Sequence, residues 1–267
     1  MSNSSGPRPP RICAILMDQF GTLTDQHGSM TRLLASDGAS AAAACGAAPE
    51  ELGRIDWSRF AERWRAGYLR RTREIAQGDG GPGDIDELHL ELLNELLREE
   101  EYRVLDEAWT PERRSEICQY WHRLDAWPDV KPALEQLRSR EPPVLLATLS
   151  NGTLRLLIDV ARHNNLPLDA HFSGDLLGSY KPNPVMYRRA ADLLGFNAQA
   201  RRRGQVAMFA SHIDDLRAAA KEGLYTIYIR RPTEDEPERR NAVRAKREGG
   251  EVDLVIDSMD ELVAHLQ

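Results

Sequence analysis

The chain has 267 residues, of which 41% are apolar, and this is enough for one large domain or two modest ones around a hydrophobic core. A formal net charge of −7 gives no basis for a nucleic-acid-binding surface. No apolar run is long enough to span a bilayer, and residues 1–10 lack the apolar segment of a secretory signal, so we expect no membrane contact and a cytoplasmic location. The three cysteines have no paired spacing, so we expect buried apolar residues and neither a disulfide framework nor a zinc site.

The first predicted element is a strand that ends in a carboxylate. Residues 12–17 are predominantly apolar and include two β-branched isoleucines, which is typical of a strand buried on both faces of a parallel sheet. Asp18 follows directly, and a turn containing Gly21 comes next. Because ligands of open α/β sheets bind beyond the carboxyl ends of the strands, Asp18 is a candidate nucleophile. The alternative is that Asp18 simply caps the turn, as a lone Asp in this position usually does.

A long insertion with helical patterns follows the first strand. Apolar residues recur at helical spacing over residues 57–69 and again over residues 85–97, and the GDGGPG segment at 78–83 is a flexible break between them. Thr110, followed by proline, has the pattern of a helix N-cap. We predict that residues 31–125 form a helical cap domain.

From about residue 127 the patterns of strands and helices alternate. The predicted strands span residues 144–149, 171–173, 206–210 and 226–229, and the predicted helices span residues 130–139, 154–164, 185–194 and 216–222. This alternation predicts a doubly wound parallel sheet of the α/β class, formed by residues 11–30 and 126–267, behind a disordered tail at 1–10. Residues 233–252 are dense in Arg and Glu, so we expect a solvated loop or frayed helix without chemistry there.

Polar groups follow three more of the predicted strands. Ser150 and Asn151 come directly after the strand at 144–149, Lys181 lies beyond the next strand, and Asp215 lies beyond the one after that. In a parallel sheet these strand ends face one crevice, where a hydroxyl, an amide, an ammonium and a second carboxylate would meet Asp18. Taken singly, a Ser-Asn pair is ordinarily a turn and a lysine before proline is ordinarily a surface residue. Their occurrence in this order favours a catalytic site.

The segment MDQFGTL at residues 17–23 resembles motif I of the haloacid dehalogenase superfamily, in which the first Asp forms a covalent ester with the substrate. The segments around Ser150, Lys181 and Asp215 resemble the remaining three motifs, and the resemblance extends over residues 11–230. It implies a Rossmann-like core with a helical cap inserted after the first strand.

Two positions separate phosphatases from dehalogenases within this superfamily. The phosphatases carry a second Asp two residues after the nucleophile, which protonates the leaving oxygen, whereas Phe20 can transfer no proton. Ser211 stands where the phosphatases have one magnesium-binding Asp. We therefore expect no metal and no cofactor. If Mg²⁺ is bound after all, the resemblance assigns it to Asp18, Asp214 and Asp215.

The sequence is similar to the 2-haloacid dehalogenases of the superfamily, which have an aromatic residue two positions after the nucleophile and use no metal. The resemblance implies that Asp18 is the nucleophile, that Thr22 supports it and that Lys181 keeps it ionised. Arg65, in a Trp-Arg pair of the cap, would receive the halide, and Asp215 would ready the hydrolytic water. The alternative for Arg65 is a solvated surface charge, because it lies among several other arginines.

A second set of residues is expected around the substrate. The substrate-binding residues that the resemblance implies are Phe20, Leu69, Ser150, Asn151, Tyr187 and His212. Ser150 and Asn151 would hold the carboxylate and the halide, respectively. His212 departs from the family pattern, and it is either a turn residue without a role or a second group that helps to position water.

The expected function is that of an (S)-2-haloacid dehalogenase, which converts a short 2-haloalkanoic acid into a 2-hydroxy acid through an aspartyl ester. The alternatives are a Mg²⁺-dependent phosphatase acting on a small phosphate ester, and a binding protein of the same fold without turnover. The expected partner is a small carboxylic acid rather than a nucleic acid or a membrane, and a homodimer is compatible with the sequence.

Overall fold

A computed structural model describes residues 11–76 and 84–266. The predicted tail at 1–10 and the predicted break at 78–83 lie outside the described residues. Six parallel strands form one sheet in the order β3-β2-β1-β4-β5-β6. The strands are β1 (Ala14–Met17), β2 (Leu145–Leu149), β3 (Ala170–Phe172), β4 (Val206–Ala210), β5 (Tyr225–Ile229) and β6 (Leu254–Ile256). This confirms the doubly wound parallel α/β sheet.

Helices fill the connections between the strands. Between β1 and β2 lie α1 (Gln26–Leu33), α2 (Ala39–Ala44), α3 (Pro49–Leu52), α4 (Trp57–Ala76), α5 (Ile85–Leu97), α6 (Arg103–Ala108), α7 (Pro111–Cys118) and α8 (Val130–Arg138), with a π-helix at Leu34–Gly38 and 3₁₀ turns at Glu100–Tyr102 and Gln119–Arg123. Later come α9 (Leu154–His163), α10 (Gly174–Leu177), α11 (Pro184–Leu193), α12 (Ala198–Arg202), α13 (Ile213–Lys221), α14 (Pro237–Ala242), a 3₁₀ turn at Lys246–Glu248 and α15 (Met259–Leu266). Among the described residues, no helix is long and apolar enough to cross a membrane.

Strand β1 lies in the middle of the sheet, and its apolar residues alternate between two cores. Ile15 and Met17 pack into the cluster on one face, and Ala14 and Leu16 pack into the cluster on the other face. All four residues are fully buried, as expected for a strand covered by helices on both sides. Met17 pairs in register with β2 and β4, so the residues that follow these three strands meet at one edge of the sheet.

The helices between β1 and α8 enclose a third, aromatic-rich cluster. Phe60 of α4 is completely buried there and meets the ring of Tyr102 edge to face at 4.8 Å. Phe20 and the inner face of α9 belong to the same cluster, so this layer packs directly against the sheet edge where the polar groups lie. The domain boundaries at residues 30/31 and 125/126 stay a prediction.

Several predicted elements differ from the observed ones. The first strand begins at Ala14 rather than at residue 12, and the helix predicted over 216–222 begins at Ile213, because the turn after β4 is shorter than expected. Strand β6 and helix α15 were not predicted. Of the cysteines, Cys118 is buried, whereas Cys45 is exposed and Cys13 is partly exposed, so the expectation of buried cysteines is correct for Cys118 alone.

Candidate active site

The turn after β1 holds the carboxylate of Asp18 inside the protein. The Asp18 backbone N–H donates to the carbonyl of Phe209 at 2.9 Å, which continues the pairing of β1 with β4 by one residue. Thr22 Oγ1 donates to Asp18 Oδ2 at 2.8 Å and accepts a hydrogen bond from the backbone N–H of Ser211 at 2.9 Å. Asp18 is 5% exposed. Thr22 therefore fixes the carboxylate relative to the end of β4.

Lys181 lies between the two carboxylates predicted for the site. Its Nζ is 2.6 Å from Asp18 Oδ1 and 2.5 Å from Asp215 Oδ2. Burial alone would raise the pKa of Asp18, but the charges of Lys181 and His212 outweigh burial and hold that pKa well below its usual value. Asn151 positions the lysine, since its side-chain amide bonds both the backbone N–H and the carbonyl of Lys181, at 2.6 and 3.2 Å.

Asp215 lies in the first turn of α13, not in a preceding turn, and it is held from two sides. The Tyr187 hydroxyl donates to Asp215 Oδ1 at 2.5 Å, while Lys181 occupies Oδ2. Burial and the neighbouring charge of Asp18 raise the pKa of Asp215, against the opposing effect of Lys181. Tyr187 is completely buried and bonded to Asp215, which it positions, and its assignment to the substrate-binding set stays a prediction.

His212, at the start of α13, connects Asp18 to a third carboxylate. Its Nδ1 is 3.1 Å from Asp18 Oδ2 and its Nε2 is 2.7 Å from Glu234 Oε2. Ionised carboxylates only accept hydrogen bonds, so this arrangement requires a proton on both ring nitrogens. Burial lowers the pKa of His212, but the two carboxylates outweigh burial and raise it to about 10. His212 is thus not a turn residue without partners.

Glu234 was missed by sequence reasoning. It is 1% exposed, which contradicts the expectation that residues 233–252 are solvated. Arg65 Nη1 donates to Glu234 Oε1 at 2.8 Å, and Arg65 Nη2 donates to Glu234 Oε2, so the arginine of α4 reaches the core as a bidentate partner. A Cβ at Gly21, whose φ is +81°, would overlap the Glu234 carboxylate. The position of Glu234 in the sequence could have indicated a site residue, because Glu234 follows β5 at the same edge of the sheet.

The other predicted substrate-binding residues surround this network. Phe20 is 8% exposed and meets Trp121 edge to face, with 6.4 Å between ring centroids. Leu69 is half-buried against the aromatic-rich cluster on α4. Ser150 is buried at the end of β2, and its Oγ accepts from the backbone N–H of Gly152 at 3.3 Å. The Asn151 amide nitrogen donates one hydrogen bond to the Lys181 carbonyl, so its predicted contact with halide would use its second N–H.

The donor atoms of the site do not fit a magnesium ion. The Lys181 ammonium already bridges Asp18 and Asp215, two of the carboxylates to which such an ion would bind. Asp214 is exposed and pairs with Arg217 and Arg239 rather than with these carboxylates, and the expected ligand set of Asp18, Asp214 and Asp215 stays a prediction. Within residues 11–76 and 84–266, no group of three or more His, Cys, Asp or Glu side chains is arranged to hold a metal.

Comparisons with known proteins show the family to which the chain belongs. The family model of haloacid dehalogenase-like hydrolases matches residues 12–223, and the chain belongs to that family. An (S)-2-haloacid dehalogenase 4A from Burkholderia cepacia is 29% identical over 220 residues, which are 82% of this chain and 83% of the relative. A defluorinating L-2-haloacid dehalogenase of known structure is 32% identical, with a TM-score of 0.77 over 96% of this chain and 95% of that one. A second L-2-haloacid dehalogenase structure is 30% identical, with the same TM-score over 96% of this chain and 100% of that one.

The raised pKa of His212 predicts how stability depends on pH. A proton bound more tightly in the folded state stabilises it fully below the unfolded-state value of about 6.5, and this contribution is lost as pH rises toward about 10. Between these values the free energy of unfolding of the wild type should fall relative to that of His212→Gln, by at most ~1.4 kcal/mol per pH unit.

Urea unfolding at several pH values measures this difference. His171→Gln is the matched control, because burial lowers the pKa of His171 and places its titration below this range. If the free energies of unfolding of the wild type and His212→Gln depend on pH in the same way from pH 6.5 to 10, His212 is not held as a cation.

Proposed function

We propose that this protein is an (S)-2-haloacid dehalogenase, which releases halide from a short 2-haloalkanoic acid and forms a 2-hydroxy acid of inverted configuration. The observation that carries the proposal is the buried Asp18 carboxylate, ionised between Lys181 and His212, with the phenyl ring of Phe20 where a phosphatase needs a proton donor. The relatives' names support the same activity.

The first half-reaction needs a nucleophile but no acid. One oxygen of Asp18 attacks the carbon that bears the halogen, the new C–O bond forms as the carbon–halogen bond breaks, and the halide leaves with the electron pair. Lys181 holds the attacking carboxylate in place and ionised. The buried hydroxyl of Ser150 and the nearby backbone amides are the proposed holders of the substrate carboxylate. Arg65 supplies positive charge from α4 for the departing halide.

Ester formation changes the environment of His212. The ester has no negative charge, so His212 loses one of its two anionic partners and its pKa falls, which allows a proton to leave for solvent. A water positioned by Asp215 and His212 then gives a proton to His212 Nδ1 while its oxygen bonds to the ester carbonyl carbon of Asp18. The bond from that carbon to the ester oxygen breaks, and the product alkoxide takes the proton from His212. The Asp18 acid finally returns its proton to His212.

The same chain of steps requires neither a metal nor an organic cofactor, and we propose that none is used. The cytoplasmic location and the homodimer stay predictions.

The activity can be tested by halide release with a metal chelator present. We expect release from 2-chloropropionate or chloroacetate at the same rate with and without EDTA, because Lys181 supplies the positive charge between the carboxylates. Fluoroacetate belongs in the screen, since one relative is defluorinating. Asp18→Asn should release no halide, because an amide is a poor nucleophile.

A phosphatase is the alternative to exclude in the same screen. Hydrolysis of p-nitrophenyl phosphate that depends strictly on Mg²⁺, with no halide release from any haloacid, would overturn the proposed function.

The role of His212 can be separated from that of Asp215 by rapid-mixing measurements of halide release. In His212→Gln the ester should form and persist, giving a burst of about one halide per subunit followed by turnover slowed about 10²-fold, the lower range for a lost general base. His171→Gln, whose ring contacts Thr148 and no site carboxylate, should keep wild-type kinetics. A burst in Asp215→Asn but none in His212→Gln would assign proton removal to Asp215 instead.

A further inference from the structure

The site contains one carboxylate that the proposed reaction does not use. Asp18, Asp215 and Glu234 face the three cations Lys181, His212 and Arg65, which together carry no net charge. Asp18 is the nucleophile and Asp215 helps to position water. Glu234 forms no covalent bond and transfers no proton in either half-reaction, yet it is among the most deeply buried charged groups of the described chain.

Glu234 is paired with Arg65, the arginine to which an incoming anion would bind. Both terminal nitrogens of Arg65 bond the two oxygens of the Glu234 carboxylate. Bidentate pairs of this kind are among the stronger charge-assisted hydrogen bonds. Arg65 Nε is buried and has no acceptor within the described residues, so the pair with Glu234 does not satisfy all the donors of this guanidinium. An anion that binds the terminal nitrogens of Arg65 must therefore share them with Glu234 or displace it.

We propose that Glu234 is an internal counter-ion that competes with bound anions for Arg65 and thereby keeps the affinity of the site for halide low. The identity of the anion rests on the proposed function, in which halide departs toward Arg65. Competition of this kind favours release of the product halide, because Glu234 re-forms its pair with Arg65 as the halide leaves. The negative charge of Glu234 also brings the net charge of the empty site near zero. Binding of one anionic substrate therefore makes the site negative rather than neutral.

Bromide binding, measured by isothermal titration calorimetry without substrate, tests the proposal. Glu234→Gln keeps the shape of the side chain and removes its charge, so bromide should bind about tenfold more tightly than to the wild type. Glu236→Gln is the matched control, because Glu236 is an exposed carboxylate of the same loop, two residues away. The control should change bromide affinity by less than about twofold.

A double variant shows whether the effect passes through Arg65. Adding Arg65→Met to Glu234→Gln should abolish the gain in bromide affinity, as expected for two residues that act on one another. If Glu234→Gln does not fold, Glu234→Asp provides the comparison: its shorter side chain draws the carboxylate away from Arg65 and should tighten bromide binding severalfold.

Unchanged or weaker bromide binding in Glu234→Gln would overturn the proposal, as would a gain that persists in the double variant or appears equally in Glu236→Gln. Failure of the wild type to release halide from haloacids would instead overturn the proposed function, because the binding measurement involves no turnover.

Discussion

A carboxylate buried in the protein is the constraint on which the rest of the site depends. Asp18 is 5% exposed, and an ionised group in such a place is strongly disfavoured unless it is paired and hydrogen-bonded. Lys181 and His212 pair with Asp18, and each of these two cations needs a further anionic partner. Lys181 is balanced by Asp215, and His212 is balanced by Glu234. The alternation of charges thus extends outward from the nucleophile until every charge has an opposite neighbour.

The last pair in this series joins two layers of the molecule. Arg65 belongs to α4 in the helical layer, and Glu234 belongs to the loop after β5 in the core. Trp64, next to Arg65, is almost completely buried and bonds the carbonyl of His89 at 3.0 Å, so the aromatic-rich cluster fixes the helix from which the arginine extends. The charge balance of the site therefore depends on helical packing far from the reacting atoms in sequence.

The sequence predicted the parts of the site that depend on strand ends. Asp18 and Asp215 could be placed because each follows an apolar run, and parallel strands bring their ends together. The position of Glu234 in the site could not be predicted in this way. It lies in a segment dense in charges, where burial of one carboxylate depends on a partner from another helix. The partner of the Tyr187 hydroxyl and the outward direction of Asp214 are likewise tertiary contacts. Helical periodicity gives the position of a residue but not which neighbour it will meet.

A single turnover in H₂¹⁸O, with enzyme in excess over a haloacid, tests most directly whether Asp18 forms the ester. Water attacks the carbonyl carbon of Asp18 in this account, so mass spectrometry should find ¹⁸O in the peptide that contains Asp18. The hydroxy acid of that first turnover should be unlabelled, because its new oxygen came from Asp18. Label in the product, with an unlabelled Asp18 peptide, would mean that water attacks the substrate directly and would contradict nucleophilic catalysis by Asp18.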